Sequence, residues 1–387
     1  MINKKHHILI LEGYCKQVLP FIRGFKDLGC IVSVLCGSKW DCAYVSRLPD
    51  YRVLGVCDLH RPKESEDYIV KLIKTGMYDI VIPMFDMSAR ILAHHKEELS
   101  EYAIIIANDK EIFDKANDKS EVMSICLENG IPCPKTLSVF KNLVDIKDYN
   151  LSFPVIIKPR SSYGARGFRV FNSFDQLQDH VLSNHIIIED YVIQEYIPSG
   201  SSLITAVIYI DRFGGIKSAY LYKSEHFYPL EGGTSTLNGI LNRPDILDCC
   251  KKLALAMELK GLIGVDLMID CRDNIGKVIE INPRSVHGIT LGFISGVNHA
   301  QQLLEDAKGE DVTSMMIESD DMCCRILQTD ILWWLHSPDR FKLTPKKLGY
   351  QKVKEQMFYW DDPLPWMAFL FDGIKNYRKK MMEKKGY

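Results

Sequence analysis

Asp266, Glu280 and Asn282 are the residues of this chain best suited to chemistry, because two carboxylates and an amide are the oxygen donors that Mg²⁺ bridging two phosphates requires. They sit in two runs, Gly264-Val-Asp266-Leu-Met-Ile-Asp270 and Gly276-Lys-Val-Ile-Glu280-Ile-Asn282-Pro-Arg284. Val265, Leu267 and Ile269 alternate with Asp266, Met268 and Asp270, and a turn at 273–276 joins the runs, so the pattern predicts a hairpin with acids on one strand face. Glu280 and Asn282 share a face because strand side chains alternate with period two. A carboxylate among aliphatic residues is costly unless it is paired or holds a cation. The plain alternative is a solvated edge hairpin. Arg284, two residues past the amide, tilts the reading toward a site, since a guanidinium there could clamp a transferring phosphoryl group or an anionic intermediate.

The elements that would complete such a site lie upstream. Phe153-Pro-Val-Ile-Ile-Lys158-Pro-Arg160 reads as a short apolar strand ending in a lysine, followed by the small-residue loop Ser161-Ser-Tyr163-Gly164-Ala-Arg166-Gly167 and a second strand, Phe168–Phe171. Such a loop can lay its N–H groups over a polyphosphate, with Lys158, Arg160 and Arg166 adding charge. It is not a Walker A loop, which needs Gly-Lys-Ser/Thr opening a helix. Ile186-Ile-Ile-Glu-Asp-Tyr-Val-Ile-Gln194-Glu195-Tyr-Ile197 reads as an apolar strand that breaks at Pro198, and a further strand runs from Leu203 to Ile210. A break of that kind exposes backbone groups at Glu195 and Ile197 to a base edge, or serves simply as an interdomain hinge.

Taken in order, these pieces resemble the ATP-grasp superfamily: Lys119 in Asn117-Asp-Lys-Ser-Glu-Val-Met, Lys158, the 161–167 loop, Gln194-Glu195-Tyr-Ile197-Pro, Asp266 and Glu280-Ile-Asn282-Pro-Arg284. The resemblance covers about residues 1 to 310. It implies an α/β and α+β architecture: an N-terminal parallel-sheet domain at 1–110, an ATP-grasp lid domain at 111–192, an ATP- and Mg-binding antiparallel-sheet domain at 193–310, and a helical and irregular extension at 311–387. It also implies an ATP-dependent ligase that joins a small carboxylic acid to an amine through an acylphosphate, with ATP and Mg²⁺ (or Mn²⁺) as cofactors. Lys119, Lys158, Arg160, Ser161, Gly164, Arg166 and Gly167 would meet the phosphates, Gln194, Glu195 and Ile197 the adenine, and Asp266, Glu280 and Asn282 the metal. Lys158 and Arg284 would be the catalytic cations. Members commonly carry a glutamate for the ribose hydroxyls just after the hinge glycine. Here Ser202 follows Gly200 and Ser201, and a neutral hydroxyl bonds more weakly. Lys223, in Tyr220-Leu-Tyr-Lys223-Ser-Glu-His226, is expected near the substrate carboxylate, as are the hydroxyls of Thr234 to Thr236. Two other readings remain: a carboxylase or carbamoyl-phosphate-type enzyme using bicarbonate, and a nucleotide-binding scaffold without turnover.

The remaining organisation is consistent with that reading. His7 to Leu11, Ile31 to Leu35, Ile80 to Ile82 and Ala103 to Ile106 are buried-strand candidates, with a helix at Val18 to Leu28 between the first two. The turn Glu12-Gly13-Tyr14 lacks the dinucleotide fingerprint, which disfavours a Rossmann redox site. The resemblance implies that this turn, together with Met84-Phe85-Asp86, faces the substrate. A net charge of −2, from 48 basic and 50 acidic residues, provides no field to recruit nucleic acid. Twelve cysteines without regular spacing are neither a disulfide framework nor a zinc site, and no apolar run is long enough to span a bilayer, so a cytoplasmic protein, with a homodimer as one assembly, is expected. Within the tail, Met322 to Leu335 has helical apolar spacing with Trp333-Trp334, Leu343 to Tyr350 reads as a short helix, and Phe358 to Trp366 is too proline-rich for regular structure. An apolar stretch at Trp366 to Ile374 is followed by a basic run. The tail is either a cap on the ATP-binding body or a surface that docks on a membrane or a partner.

Overall fold

A computed structural model of the chain describes residues 5–137, 151–161, 169–230 and 233–371. Three sheets organise it. The first is fully parallel and contains β1 (His7–Ile10), β2 (Ile31–Cys36), β3 (Tyr51–Leu54), β4 (Ile80–Ile82) and β5 (Ile104–Ile105) in the order β3-β2-β1-β4-β5. Ile8, Leu9 and Ile10 are all fully buried, as expected for a strand covered by helices on both faces. The second sheet is antiparallel and small: β6 (Thr136–Leu137), β7 (Val155–Pro159), β8 (Arg169–Phe171) and β9 (Tyr191–Glu195), ordered β6-β9-β7-β8. Its apolar face closes on the helix Phe174–Ser183, giving a core of its own around Leu137, Val155, Ile157, Leu177 and Ile193.

The third sheet carries the candidate hairpin. It comprises β10 (Ser202–Ile210), β11 (Ile216–Tyr228), β12 (Thr234–Leu241), β13 (Gly261–Ile269), β14 (Gly276–Asn282), β15 (Met322–Arg325) and β16 (Lys352–Glu355), ordered β14-β13-β10-β11-β12-β15-β16. One face, with Ile204, Ala206, Ile208, Val265 and Leu267, packs on the helices Lys119–Glu128 and Pro244–Ala256. The other, with Val207, Tyr209, Tyr220 and Tyr222, shares a continuous core with Ile8, Phe21 and Val32 of the parallel-sheet domain.

Several elements depart from the sequence reading. Ile188–Asp190 is a 3₁₀ turn, so the strand expected from Ile186 begins only at Tyr191; Ile188 turns into the small core while Ile187 stays exposed. The tail contributes two strands to the large sheet. Met322–Arg325 pairs with β12 because that edge offers an open ladder, and the helix starts only at Leu327. Residues 343–350 form turns rather than a helix, and residues 364–371 are helical directly after Pro363. The tail is seated through His226, whose ring lies on Trp333 with centroids 3.4 Å apart and planes at 6°, and whose two nitrogens contact Asp330 at 2.7 Å and the Leu343 carbonyl at 2.6 Å. No described helix is long and apolar enough to cross a membrane.

Candidate functional site

The hairpin brings the acids together. Asp266 of β13 and Glu280 of β14 are direct cross-strand partners, so two carboxylates lie side by side on one sheet face. Burial, reinforced by the Glu280 charge, pushes the Asp266 carboxyl up to about 7. Thr205 of β10, in register with Asp266, donates its hydroxyl to Asp266 Oδ1 at 2.6 Å, and Asn282 donates Nδ2 to Oδ2 at 2.9 Å. The set fits a divalent cation, because a like-charged, partly desolvated pair is stable only with positive charge beside it. Among the described residues no group of three or more His, Cys, Asp or Glu is arranged to hold a metal. Two carboxylates and one amide would leave the other coordination positions to phosphate oxygens, as suits magnesium.

A β-bulge shapes the site. The register shifts between Asp266 and Leu267, pairing the latter with Val278 and leaving Ile279 as the extra residue. The Ile279 carbonyl then lies 3.4 Å from Lys158 Nζ, the cation delivered by β7 of the small sheet. Burial lowers the Lys158 ammonium to about 8. Lys119, at the start of its helix and 5% exposed, places Nζ 3.7 Å from Glu280 Oε2. That helix is capped by Asp118, which accepts from the Ser120 N–H, and the Lys119 N–H donates to the Arg160 carbonyl, so the two lysine-bearing segments are fastened to each other.

Arg284 is held from the parallel-sheet domain. Asp86, the first residue of the helix Asp86–His94 at the C-terminal end of β4, accepts from Nε and Nη2 at 2.8 Å each. Nη2 also donates to Asn282 Oδ1 and Nη1 to the Ser285 carbonyl. Four of the five guanidinium N–H groups are thereby engaged, and the two-pronged edge expected to clamp an intermediate faces Asp86 instead. Beside this pair Glu12 is fully buried with φ 61°, bonded to Ser88, and raised to about 7 by burial.

Other expected residues are placed differently. Arg160 spends its guanidinium on Asp118, with Nη2 to Oδ2 at 2.6 Å. Gln194 is buried and donates to the Thr136 hydroxyl at 2.7 Å, while Glu195 uses its backbone N–H on the Lys135 carbonyl and its carboxylate on Arg272. Ile197 is buried just past β9, and Ser202 opens β10 opposite Ile269. Ser161 is exposed at the end of β7; Gly164, Arg166 and Gly167 lie outside the described residues. Lys223 pairs in register with Ile204, one residue out of phase with Tyr222, Thr205 and Asp266. Pleating therefore puts it on the opposite face from the carboxylates, where it bonds Glu225 at 2.9 Å. The Ser224 hydroxyl donates to Asn238 of the neighbouring β12, and the Thr236 hydroxyl donates to Asp330 and so helps hold the tail. Thr205 and the bulge were not anticipated. The adjacent apolar pair Val278-Ile279, which breaks the alternation, is the signal that marks the bulge, and Thr205 is an isolated polar residue between Leu203 and Ala206.

A parallel-sheet domain, a small antiparallel sheet presenting Lys158, and a larger sheet presenting the Asp266–Glu280 pair meet at this site. Residues 116–287 match the ATP-grasp domain. It is 26% identical over 335 residues to the D-aspartate ligase of Enterococcus faecium (strain Aus0004), covering 79% of this chain and 77% of that protein. It is 24% identical over 272 residues to the carbamoyl phosphate synthase large chain of Clostridium botulinum (strain Eklund 17B / Type B), covering 65% of this chain and only 24% of that longer protein. In fold it is similar to the biotin carboxylase domain dimer of Hydrogenobacter thermophilus 2-oxoglutarate carboxylase, a complex with MgADP, ADP and bicarbonate, at TM-score 0.66 and 15% identity over 80% of this chain and 71% of that one.

Proposed function

We propose that this chain is an ATP-dependent ligase that joins a small carboxylic acid to an amine. The observation that carries the reading is the convergence of Lys119 and Lys158 on the Asp266–Glu280 pair, two cations and two anions from four elements meeting where a triphosphate and its metal would lie. The similarity to a D-aspartate ligase over most of both chains supports the same activity, with an amino acid as the first acid to try. Asp266, Glu280 and Asn282 would hold Mg²⁺, which supplies charge neutralisation between the phosphates. Lys158 and Lys119 bind the phosphate oxygens and hold the γ-phosphoryl in line with the incoming carboxylate. Thr205 orients Asp266, and Arg284, fixed by Asp86, orients the Asn282 amide. The carboxylate attacks the γ-phosphorus, ADP leaves, and the amine then displaces phosphate from the acylphosphate. Unpaired cysteines throughout the described residues support a reducing, cytoplasmic setting.

Oxygen tracing tests this. With ¹⁸O in the carboxylate of D-aspartate or another active acid, one label is expected in the released phosphate, and ADP is expected to form only when acid and amine are both present. ADP release that depends on bicarbonate alone would replace this reading with carboxylation, in line with the fold shared with biotin carboxylase. ATP binding without ADP across acids, amines and bicarbonate would replace it with a scaffold.

A further inference from the structure

The tail has two faces. The inner one is committed: Trp333 lies on His226, and Asp330 takes hydrogen bonds from His226 and Thr236. On the outer face of the same helix, Leu327–His336, are Ile331, Trp334 and Leu335, spaced i, i+3, i+4 and exposed by 49%, 45% and 57%. Phe341 stands edge-on to Trp334 at 6.0 Å, and the Arg340 guanidinium lies 5.2 Å from the Phe341 ring. Gln328 donates to the Trp366 carbonyl at 3.0 Å, tying in the last helix, whose Leu364, Met367 and Phe371 are likewise exposed. Trp360, in the turn before it, is 90% exposed.

Large apolar side chains clustered on a surface mark a contact with something other than water. Charge indicates what that is. Residues 327–354 contain six Lys and Arg and two acids, one of which, Asp330, is buried. Lys342, Lys346 and Lys347 are exposed directly after Phe341. The sequence continues the pattern, with six Lys and Arg against two acids over 372–387. We propose that this outer face of the tail rests on the surface of an anionic phospholipid bilayer, its aromatic and aliphatic groups entering the interfacial layer while the lysines meet headgroup charge. The chain would lie on the bilayer, since no described helix can cross one. A second copy of the chain fits less well, because a two-fold contact sets the same patch against itself and lysine against lysine. A partner helix would call for a groove, and these side chains stand on helix faces.

Flotation of the full-length protein with vesicles of phosphatidylglycerol and phosphatidylcholine, against phosphatidylcholine alone, tests this. The expected result is flotation with the anionic vesicles only, weakened by salt, with a blue shift of tryptophan emission. Lys346→Glu with Lys347→Glu should lower the partition coefficient roughly tenfold or more, and Trp334→Glu with Leu335→Glu should abolish flotation, each pair leaving the melting temperature and ATP turnover near the unmodified values. Wild-type protein that stays unbound with anionic vesicles overturns the proposal, as does flotation unaffected by either pair. Self-association that the Trp334/Leu335 pair disrupts, without flotation, would assign the face to a second copy instead.

Discussion

Burial moves the Asp266 carboxyl up to about 7 and the Lys158 ammonium down to about 8, and each shift gives a prediction. A cation bound at the hairpin must displace the Asp266 proton at pH values below about 7, so Mn²⁺ affinity measured by calorimetry without nucleotide should rise with pH through about 7 and level off above it. Asp266→Asn should flatten that profile. The same substitution removes a charge that the folded state disfavours. The penalty is complete above about 7 and fades as pH falls toward the ordinary carboxylate value, so the variant should gain about 1 kcal/mol of stability in urea titrations at pH 8 and less at pH 5, while losing ADP formation. Lys158 runs the other way. Burial lowers its ammonium to about 8, so the phosphate contact is present below that pH and lost above it. kcat/KM for ATP should fall as pH rises through about 8, and Lys158→Arg should move that limb upward. At this scale the types and spacing of Asp266, Glu280, Asn282 and Lys158 were legible in the sequence because chemistry needs those atoms. That Arg284 would face Asp86 was not, because the pair joins residues 198 positions apart, one opening the helix that follows β4 and the other just past β14.

Among the elements, the junction between the helix Asp86–His94 and the end of β14 has the clearest consequence. Arg284 and Asp86 side chains are 7% and 12% exposed, and a buried guanidinium left without its carboxylate is strongly unfavourable. Asp86→Ala should therefore cost about 3–5 kcal/mol in urea unfolding, and Asp86→Asn less, because the amide oxygen still accepts one bond. The small sheet has a separate core, so its amides should exchange faster than those of β10 and β13 and slow markedly with Mg-ATP, as hydrogen-exchange mass spectrometry can measure. Unchanged exchange would argue against its closing over nucleotide. Alternation and apolar runs revealed β1, β2, β4, β7, β10, β13 and β14 in the sequence. β3 was missed because Tyr51–Leu54 is half-exposed at a sheet edge. β15 was misread because Met322-Cys-Cys-Arg continues the helical spacing of the segment after it, and pairing with β12 overrides that local preference.

Over the whole molecule, the parallel-sheet domain, the large sheet and the tail share one core, since Ile8 and Phe21 belong to the same buried cluster as Tyr220, Cys324, Ile326 and Met357. Unfolding should therefore be a single transition for these parts, and a chain ending at 318 should be insoluble or unfolded by circular dichroism. A folded, active protein ending at 318 would show that the tail is dispensable. The sequence division at 311 did not reveal this dependence, because a shared core leaves no mark on local composition. The place of β16 in the sheet carries one more consequence. It is the outermost strand beyond β15, and it is four residues long with exposed Lys352 and Lys354. A short strand studded with lysines is a poor template for recruiting another chain's backbone, whereas the Met-Cys-Cys run it covers would be a good one. The most C-terminal strand among the described residues is thus the one that shields the sheet from cross-β aggregation, and a clipped chain lacking it should be the species that precipitates first.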